Sequence, residues 1–139
     1  MRIVEVSDRL AIEALIATYN HSLDGGDYET WLACWTDDAV LDGLGQYLVG
    51  REEISGFASA YDDGFRRMLG GGRHFTANIL SIIDGDRATS ESNVMVMAAT
   101  ANGPRVALVG HYRDELRRHD GTWRFAVRQM RLEEAPVTT

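Results

Sequence analysis

Three turn signals in the second half of the chain constrain its fold most strongly: Asp84-Gly85, Asn102-Gly103 and Asp120-Gly121. Asp-Gly and Asn-Gly pairs favour the tight turns of β-hairpins, because both central residues of such a turn need a positive φ. From residue 73 onward the apolar side chains also recur with a period of two, as they do in strands. The sequence therefore predicts four antiparallel strands, over residues 73–83, 87–100, 105–118 and 122–132.

The first half of the chain has the apolar spacing of helices instead. A first helix is predicted over about residues 8–24, with Ser7 or Asp8 as its N-cap and with Tyr19 on its apolar face. A second, short helix is predicted to start at Asp27 or Thr30 and to carry Trp31, Leu32 and Trp35. Two short strands follow at residues 39–41 and 47–49. A third helix is predicted to start at Gly50 and to end at the glycines 70–72, and its apolar face carries Ile54, Phe57, Ala58, Tyr61, Phe65 and Met68.

Helices followed by a long antiparallel meander are the layout of an α+β protein. A twisted sheet with helices on one face must curl around them. We therefore expect a cone-shaped α+β barrel, in which N-terminal helices pack in a strongly curved, mostly antiparallel sheet around a central pocket. The 139 residues are enough for one core, and no linker interrupts them, so a single domain over residues 1–139 is predicted.

Composition narrows the class of partner. The chain has 14 Lys and Arg against 21 Asp and Glu, a formal net charge of −7, which argues against nucleic-acid and anionic membrane surfaces. No apolar run approaches the ~20 residues of a membrane span, and residues 1–9 lack the apolar core of a secretory signal. The single cysteine, Cys34, is expected to be buried and inert. A cytoplasmic protein that binds neither nucleic acid nor membranes is expected.

Asp24 breaks a local rule of helix construction. Gly25 and Gly26 supply the positive φ that ends helices, so Asp24 falls in or just beyond the last turn of the first helix. The negative end of the helix dipole disfavours a carboxylate there by up to about 1 kcal/mol. Such an uncompensated residue marks a candidate functional site, although Asp24-Gly25 also suits an ordinary turn.

Polar side chains follow one another on one face of the first long strand. Alternation places His74, Thr76 and Asn78 together. Facing the helices, they would be costly in a dry core, because each buried polar group needs a partner, and they suit a polar-lined pocket better. The alternative is that this face meets solvent and that His74 is an ordinary surface histidine.

Further candidates lie on the other strands. Alternation places Ser92 with Ser90 and Val94 on one face, and Arg128 with Arg124, unless a bulge shifts the register. Most arginines on strands are solvated, so Arg128 alone is a weak candidate. His111 neighbours Tyr112 and is either a pocket residue or, as the pattern favours, a packing residue.

The order and spacing of these segments resemble the SnoaL-like (polyketide cyclase/dehydratase) branch of the nuclear-transport-factor-2-like superfamily. That branch includes scytalone dehydratase, bile-acid 7α-dehydratase and hexachlorocyclohexane dehydrochlorinase. The resemblance spans about Ser7 to Glu133. It is carried by Ile12-Glu13-Ala14-Leu15, Tyr19, Leu23-Asp24-Gly25-Gly26-Asp27, Trp35-Thr36-Asp37-Asp38-Ala39-Val40, Gly50-Arg51-Glu52-Glu53-Ile54, His74-Phe75-Thr76-Ala77-Asn78, Tyr112-Arg113-Asp114-Glu115-Leu116 and Asp120-Gly121-Thr122-Trp123.

The resemblance implies a catalytic His-Asp dyad at His74 and Asp24. Tyr19 matches the position that holds a tyrosine in the bile-acid enzyme and a lysine in the dehydrochlorinase. Arg128 matches the arginine that the dehydrochlorinase uses for its departing group. Ser92 stands where scytalone dehydratase has a second pocket histidine, so the substrate of that enzyme is not implied.

The expected function is that of a cofactor-independent lyase that catalyses a dehydratase-like elimination. His74 would remove a proton from a small hydrophobic cyclic or aromatic substrate, and Asp24 would stabilise the imidazolium that forms. Tyr19 and Arg128 are expected to assist catalysis. The residues expected to bind the substrate are Asn78, Thr76, Ser92, Tyr112 and His111.

Three further expectations complete the prediction. No metal site is expected, because one histidine and one carboxylate fall short of a ligand set. A homo-oligomer, dimer or trimer, is expected, because an open curved sheet leaves an apolar convex face to cover. The alternatives to a lyase are an isomerase or polyketide cyclase with the same dyad, or a non-catalytic small-molecule-binding or subunit-interaction module.

Overall fold

The computed structural model of the chain describes residues 3–133 and has the α+β architecture expected from the sequence. None of the described helices is both long enough and apolar enough to span a membrane. The helices are α1 (Ile3–Gly25), α2 (Tyr28–Ala33), α3 (Gly50–Ala60) and α4 (Arg66–Met68), with a π-helix (Tyr61–Phe65) between α3 and α4. The strands are β1 (Trp35–Gly43), β2 (Gln46–Val49), β3 (Arg73–Asp84), β4 (Arg87–Thr100), β5 (Gly103–His119) and β6 (Thr122–Leu132).

Within residues 3–133 the strands form one curved, unclosed sheet in the order β2-β1-β6-β5-β4-β3. The β1–β6 pair is parallel and every other neighbouring pair is antiparallel. The four predicted C-terminal strands are confirmed, each with bounds within about two residues, because the Asp-Gly and Asn-Gly turns fix where each hairpin reverses.

An aromatic cluster lies where the helices meet the inner face of the sheet. Tyr19 of α1 contacts Trp31 of α2, Trp35 of β1 and Phe125 of β6, with ring centroids between 5.4 and 5.9 Å apart. All four rings are buried. Because such tilted and edge-on ring pairs contribute about 0.5–1.5 kcal/mol each beyond their area, this cluster fixes how α1 lies in the sheet.

A bulge in β3 corrects one predicted face. The pairing of β3 with β4 shifts between Ala77 and Leu80, and Asn78 has a positive φ of 57°. The extra residue exposes Asn78 and turns Ile79 against the core. The predicted placement of Asn78 beside His74 is therefore wrong.

A second register shift decides the position of Arg128. The pairing of β5 with β6 slips between Glu115 and Leu116, opposite Phe125 and Ala126. Both Phe125 and Ala126 are buried as a result, and Arg128 follows them into the interior. Strict alternation would place Arg128 on the same face as Arg124, unless a bulge shifts the register. The structure contains such a bulge.

The N-cap predicted for the first helix is wrong, and the N-cap predicted for the second helix is correct. α1 begins at Ile3, so Asp8 does not cap it. Instead Asp8 is buried and accepts hydrogen bonds from Arg118 at 2.6 Å and from the indole of Trp123 at 3.2 Å. Asp27 does cap α2, as predicted, by accepting from the backbone N–H of Thr30.

Strand β1 starts earlier than the sequence predicts. Trp35 was expected to lie on the second helix, but it is the first residue of β1. Trp35 pairs with Phe125 of β6, and the Cys34 carbonyl accepts from the Phe125 N–H at 2.8 Å. Pairing with a distant strand therefore overrides the local pattern.

The π-helix alters the apolar face of the third helical segment. A π-helical turn holds more residues than an α-helical turn, so it rotates every later side chain around the helix axis. Met68, predicted on the buried face, is 73% exposed, and Leu69 is 2% exposed in its place. The prediction for Met68 is wrong for this reason.

We predict that Leu69→Ala lowers the free energy of unfolding by about 2–5 kcal/mol, whereas Met68→Ala changes it by no more than about 0.5 kcal/mol. The two adjacent substitutions are matched controls for each other, because they differ in burial. Urea unfolding followed by tryptophan fluorescence measures both. A larger loss for Met68→Ala would mean that the segment continues with α-helical phase.

Candidate active site

His74 and Asp24 are in direct contact. Nδ1 of His74 lies 2.6 Å from Oδ1 of Asp24, and the backbone N–H of His74 donates to Oδ2 at 2.9 Å. Their side chains are 7% and 5% exposed. The predicted proximity is therefore found, and His74 is not the surface histidine of the alternative interpretation. Their catalytic role stays a prediction.

The contact forms between the C-terminal end of α1 and the start of β3. α1 ends at Gly25, and Gly26 has a positive φ of 74°, so Asp24 is held on the final helical turn. β3 begins at Arg73, which places His74 at the near end of the strand. The two hydrogen bonds from His74 supply the compensation that the sequence did not reveal, because bonds to a charged acceptor are strong.

The contact fixes the protonation pattern of the imidazole. An ionised carboxylate can only accept hydrogen bonds, so Nδ1 of His74 carries a proton. In the neutral ring Nε2 then holds the lone pair. His74 also lines a cavity, so the free lone pair belongs to a ring that a bound molecule can reach.

The cavity beside His74 is small, about 30 Å³, and mainly apolar. Its described lining includes Tyr19, Tyr61 and Tyr112, with apolar side chains such as Phe65 and Leu108. The ring of Tyr61 lies 6.2 Å from that of His74. Burial raises the pKa of all three tyrosines, so at neutral pH they are protonated and able to donate hydrogen bonds.

Arg128 lies behind two of these tyrosines and is completely buried. The carbon of its guanidinium is 3.5 Å from the ring centroid of Tyr112 and 4.4 Å from that of Tyr19. A cation over an aromatic face is attracted by the ring quadrupole. Arg128 also opposes the effect of burial on the pKa of Tyr112. Arg128 itself does not line the cavity.

Asp114 is the partner of Arg128 and was missed by the sequence analysis. Its Oδ1 lies 3.2 Å from Nε of Arg128, and neither side chain is exposed. Burial raises the pKa of Asp114 to about 6, although Arg128 opposes that rise. One signal was available: Asp114 lies two residues after Tyr112 and so shares its face of β5.

The Asp114–Arg128 pair is close but poorly aligned. Among residues 3–133, no partner gives a well-directed hydrogen bond to the oxygens of Asp114 or to the guanidinium nitrogens of Arg128. The hydroxyls of Ser90 and Ser92 on the neighbouring strand likewise have no hydrogen-bond partner among residues 3–133. A polar group of buried side chains therefore lies inside the sheet, separate from the apolar cavity.

Several predicted substrate-binding residues lie away from the cavity. Thr76 accepts a hydrogen bond from Asn20 at 2.9 Å, in a groove between α1 and β3. Ser92 is buried opposite Tyr112 but does not line the cavity. Asn78 is exposed at its bulge. Of the residues predicted to bind the substrate, the structure thus places Tyr112 in the cavity and Thr76 in the groove, and His74 lines both.

His111 points away from the interior. It neighbours Tyr112, and successive side chains of a strand face opposite sides of the sheet. Its Nδ1 lies 3.0 Å from Oδ1 of Asn93 on the outer face. The placement of His111 in the pocket is therefore wrong, and the packing alternative agrees better with its contact.

Cys34 is buried, as predicted, and burial raises the pKa of its thiol to about 11, so the thiolate is scarce at neutral pH. In the part of the chain that the structure describes, no three His, Cys, Asp or Glu side chains are grouped as metal ligands.

We predict that neutral His74 carries its proton on Nδ1, whereas free imidazole side chains favour Nε2. Correlations between ring ¹⁵N and ¹H nuclei distinguish the two tautomers. Asp24→Ala should return His74 to the Nε2–H form, because the acceptor is gone, while the exposed His21 should not change. A wild-type His74 in the Nε2–H form would contradict the contact described above.

Comparison with known proteins gives a consistent result. The sequence profile described as a SnoaL-like domain matches residues 4–129. No protein of curated function matches the chain. An aspartate-to-asparagine variant of Rv3472, a protein of unknown function from Mycobacterium tuberculosis, is 34% identical, with a TM-score of 0.86 over 97% of this chain and 78% of that one.

Two further solved structures are similar over most of their length. A protein of unknown function with a cystatin-like fold from Nostoc punctiforme is 31% identical, with a TM-score of 0.81 over 91% of both chains. An NTF2-like protein with a cystatin-like fold from Novosphingobium aromaticivorans is 27% identical, with a TM-score of 0.85 over 98% of this chain and 88% of that one. These likenesses agree with the cone-shaped fold expected from the sequence.

Proposed function

The chain belongs to the SnoaL-like family, a family of polyketide cyclase and dehydratase type, and from that premise we propose that it is a cofactor-independent lyase. The reaction is a dehydratase-like elimination on a small hydrophobic cyclic or aromatic substrate. The observation that carries the proposal is the 2.6 Å contact between His74 and Asp24 at the wall of an apolar cavity.

His74 is the general base of the proposed reaction. Nε2 takes a proton from a carbon next to a carbonyl, and Asp24 stabilises the imidazolium through Nδ1–H. The electron pair of the broken C–H bond forms the new C=C bond as the hydroxyl on the next carbon departs. The imidazolium returns its proton to that hydroxyl, so water leaves and His74 is neutral again.

The tyrosines serve as hydrogen-bond donors in this proposal. Removing a proton next to a carbonyl places negative charge on the carbonyl oxygen, and donors directed at that oxygen stabilise the charge. Tyr19, Tyr61 and Tyr112 line the same cavity as His74. Arg128 strengthens Tyr19 and Tyr112 as donors from behind, which replaces the earlier expectation that it contacts the departing group.

The cavity favours an uncharged substrate. Apart from His74, the described residues that line it are tyrosines, apolar side chains and one glycine. A carboxylate or phosphate would be desolvated there without a partner, at a cost of several kcal/mol. A neutral ring with a carbonyl group meets both the apolar walls and the phenol donors.

We predict that His74→Gln lowers kcat/KM about 10²–10⁴-fold for any cyclic β-hydroxy ketone that the wild type dehydrates, because the base is lost. Absorbance of the enone product measures the reaction across a panel of such ketones. His21→Gln is the control, since His21 is an exposed histidine of α1.

An isomerase or polyketide cyclase would be equally sensitive to His74→Gln but would expel no water. Tight binding of a ketone that emerges unchanged, with the same affinity in both variants, would instead indicate a binding module.

The convex face of the sheet carries a second part of the proposal, a homo-oligomer. Leu80 and Ile82 of β3 are 71% and 73% exposed, beside a groove of about 520 Å³ on that face. Arg113 and Glu91 flank it, 3.3 Å apart. Two-fold symmetry sets each patch against its own copy, so a patch with both charges is self-complementary. We propose that a second copy of the chain covers this face.

We predict that Ile82→Glu shifts the protein to the monomer in light scattering coupled to size-exclusion chromatography, because it places a charge in an apolar contact. Leu10→Glu is the matched control, since Leu10 is an exposed leucine on α1, away from the sheet. A wild type that is monomeric at high concentration would rule this interface out.

A further inference from the structure

One helical segment, residues 61–68, forms part of the wall of the cavity beside His74; it consists of the π-helix and α4, and we call it the cap. Tyr61 and Phe65 of the cap line the cavity. An apolar cavity that admits benzene has a volume of about 150 Å³, whereas this one has about 30 Å³. A ring-containing ligand therefore fits only if part of the lining moves.

The cap belongs neither to the sheet nor to α1, which supply most of the other lining residues. Tyr112, Met130 and Leu41 belong to strands that are hydrogen-bonded to their neighbours in the sheet. Leu23 and Tyr19 belong to the long helix that carries Asp24. The cap is short and includes a π-helical turn, a conformation of low intrinsic stability that is frequent at functional sites.

Besides the apolar packing of Tyr61 and Phe65, the cap is held by polar contacts among three side chains, Tyr28, Asp62 and Arg66, which we call the latch. The hydroxyl of Tyr28 donates to Oδ1 of Asp62 at 2.8 Å, and a guanidinium nitrogen of Arg66 lies 3.1 Å from the same oxygen. Tyr28 belongs to α2 and the other two residues to the cap. One carboxylate oxygen thus accepts both contacts: the hydrogen bond from Tyr28 joins the cap to α2, whereas the contact with Arg66 lies within the cap.

The latch also contacts the C-terminal end of α1, which carries Asp24. Nε of Arg66 donates to the backbone carbonyl of Asp24 at 3.4 Å. The guanidinium lies against Gly26, where an added Cβ would come within 3.1 Å of it. Glycine at this position therefore leaves room for Arg66, and the cap is docked directly against the end of α1.

The charges of the latch are in their bonded state at neutral pH. The hydrogen bond from Tyr28, together with Arg66, holds the pKa of Asp62 below its usual range. Burial and the neighbouring Asp62 raise the pKa of Tyr28 to about 12. The carboxylate is therefore ionised and the phenol protonated, as donor and acceptor require.

We propose that Asp62 controls access to His74: its hydrogen bond from Tyr28 holds the cap against α2, its contact with Arg66 keeps Arg66 in place against the end of α1, and release of these contacts admits an uncharged ligand the size of a ring. The proposal rests on the proposed function only in placing such a ligand beside His74. Opening of the cap is a property of the free protein, so it is measurable without a substrate.

Hydrogen exchange followed by mass spectrometry on the free, full-length protein tests the latch directly. Asp62→Ala removes both contacts and Tyr28→Phe removes one hydroxyl. Each is expected to speed amide exchange in the cap about fivefold or more, the effect of losing one hydrogen bond, with exchange in β4 unchanged. Asp63→Ala is the matched control, because Asp63 is the adjacent exposed carboxylate and takes no part in the latch.

The rate at which 1-naphthol binds, measured by stopped-flow fluorescence, tests access. It should rise in Asp62→Ala and Tyr28→Phe and stay at the wild-type value in Asp63→Ala. Unchanged cap exchange in both latch variants, equal acceleration by Asp63→Ala, or no naphthol binding to any variant would each overturn the proposal. Failure of the lyase chemistry alone leaves the accelerated exchange in place, so the two proposals fail separately.

Discussion

The contact between Asp24 and His74 joins the two layers of the fold. A carboxylate at the C-terminal end of a helix is opposed by the helix dipole, and the paired hydrogen bonds from one histidine offset that cost. The same bonds tie the end of α1 to the start of β3. Because Asp24 accepts from both the ring and the backbone of His74, the imidazole is fixed in position and in tautomer. The cavity, the tyrosines and the cap are all arranged around this fixed ring.

A second buried charge lies behind the cavity wall. Arg128 is surrounded by the rings of Tyr112, Tyr19 and Phe125 and is paired with Asp114. Burying an ion pair is costly unless its geometry is good, and this pair makes no well-directed hydrogen bond within residues 3–133. Stability alone therefore does not explain why the interior holds it. Its position against two phenols that line the cavity is the basis of the role proposed for it, in which it strengthens Tyr19 and Tyr112 as hydrogen-bond donors.

Much of the fold was predictable from the sequence, because local signals specify it. Asp84-Gly85, Asn102-Gly103 and Asp120-Gly121 set the strand ends. Asp24 was noticeable because it broke a rule of helix construction, and the family resemblance connected it to His74. Asp27 was a correct N-cap because capping depends on one side chain and its own helix.

The errors arose where a single residue changes the phase of an element. One extra residue at Asn78 and another opposite Glu115 reverse which side chains face inward, and the π-helical turn does the same for Met68 and Leu69. Nothing in the local composition distinguishes a bulge from regular alternation, since its stability comes from packing against distant strands. Arg128 and its partner Asp114 could be placed in the interior only once that packing was known.

The most direct test of the central claim, that His74 held by Asp24 removes a proton from a carbon acid, needs no leaving group. NMR in D₂O measures deuterium incorporation next to the carbonyl of a fused-ring ketone such as 2-tetralone. Wild-type protein should accelerate this exchange, and His74→Gln should lower the catalysed rate by about two orders of magnitude or more. An exchange rate that is the same in wild type and His74→Gln would contradict the claim.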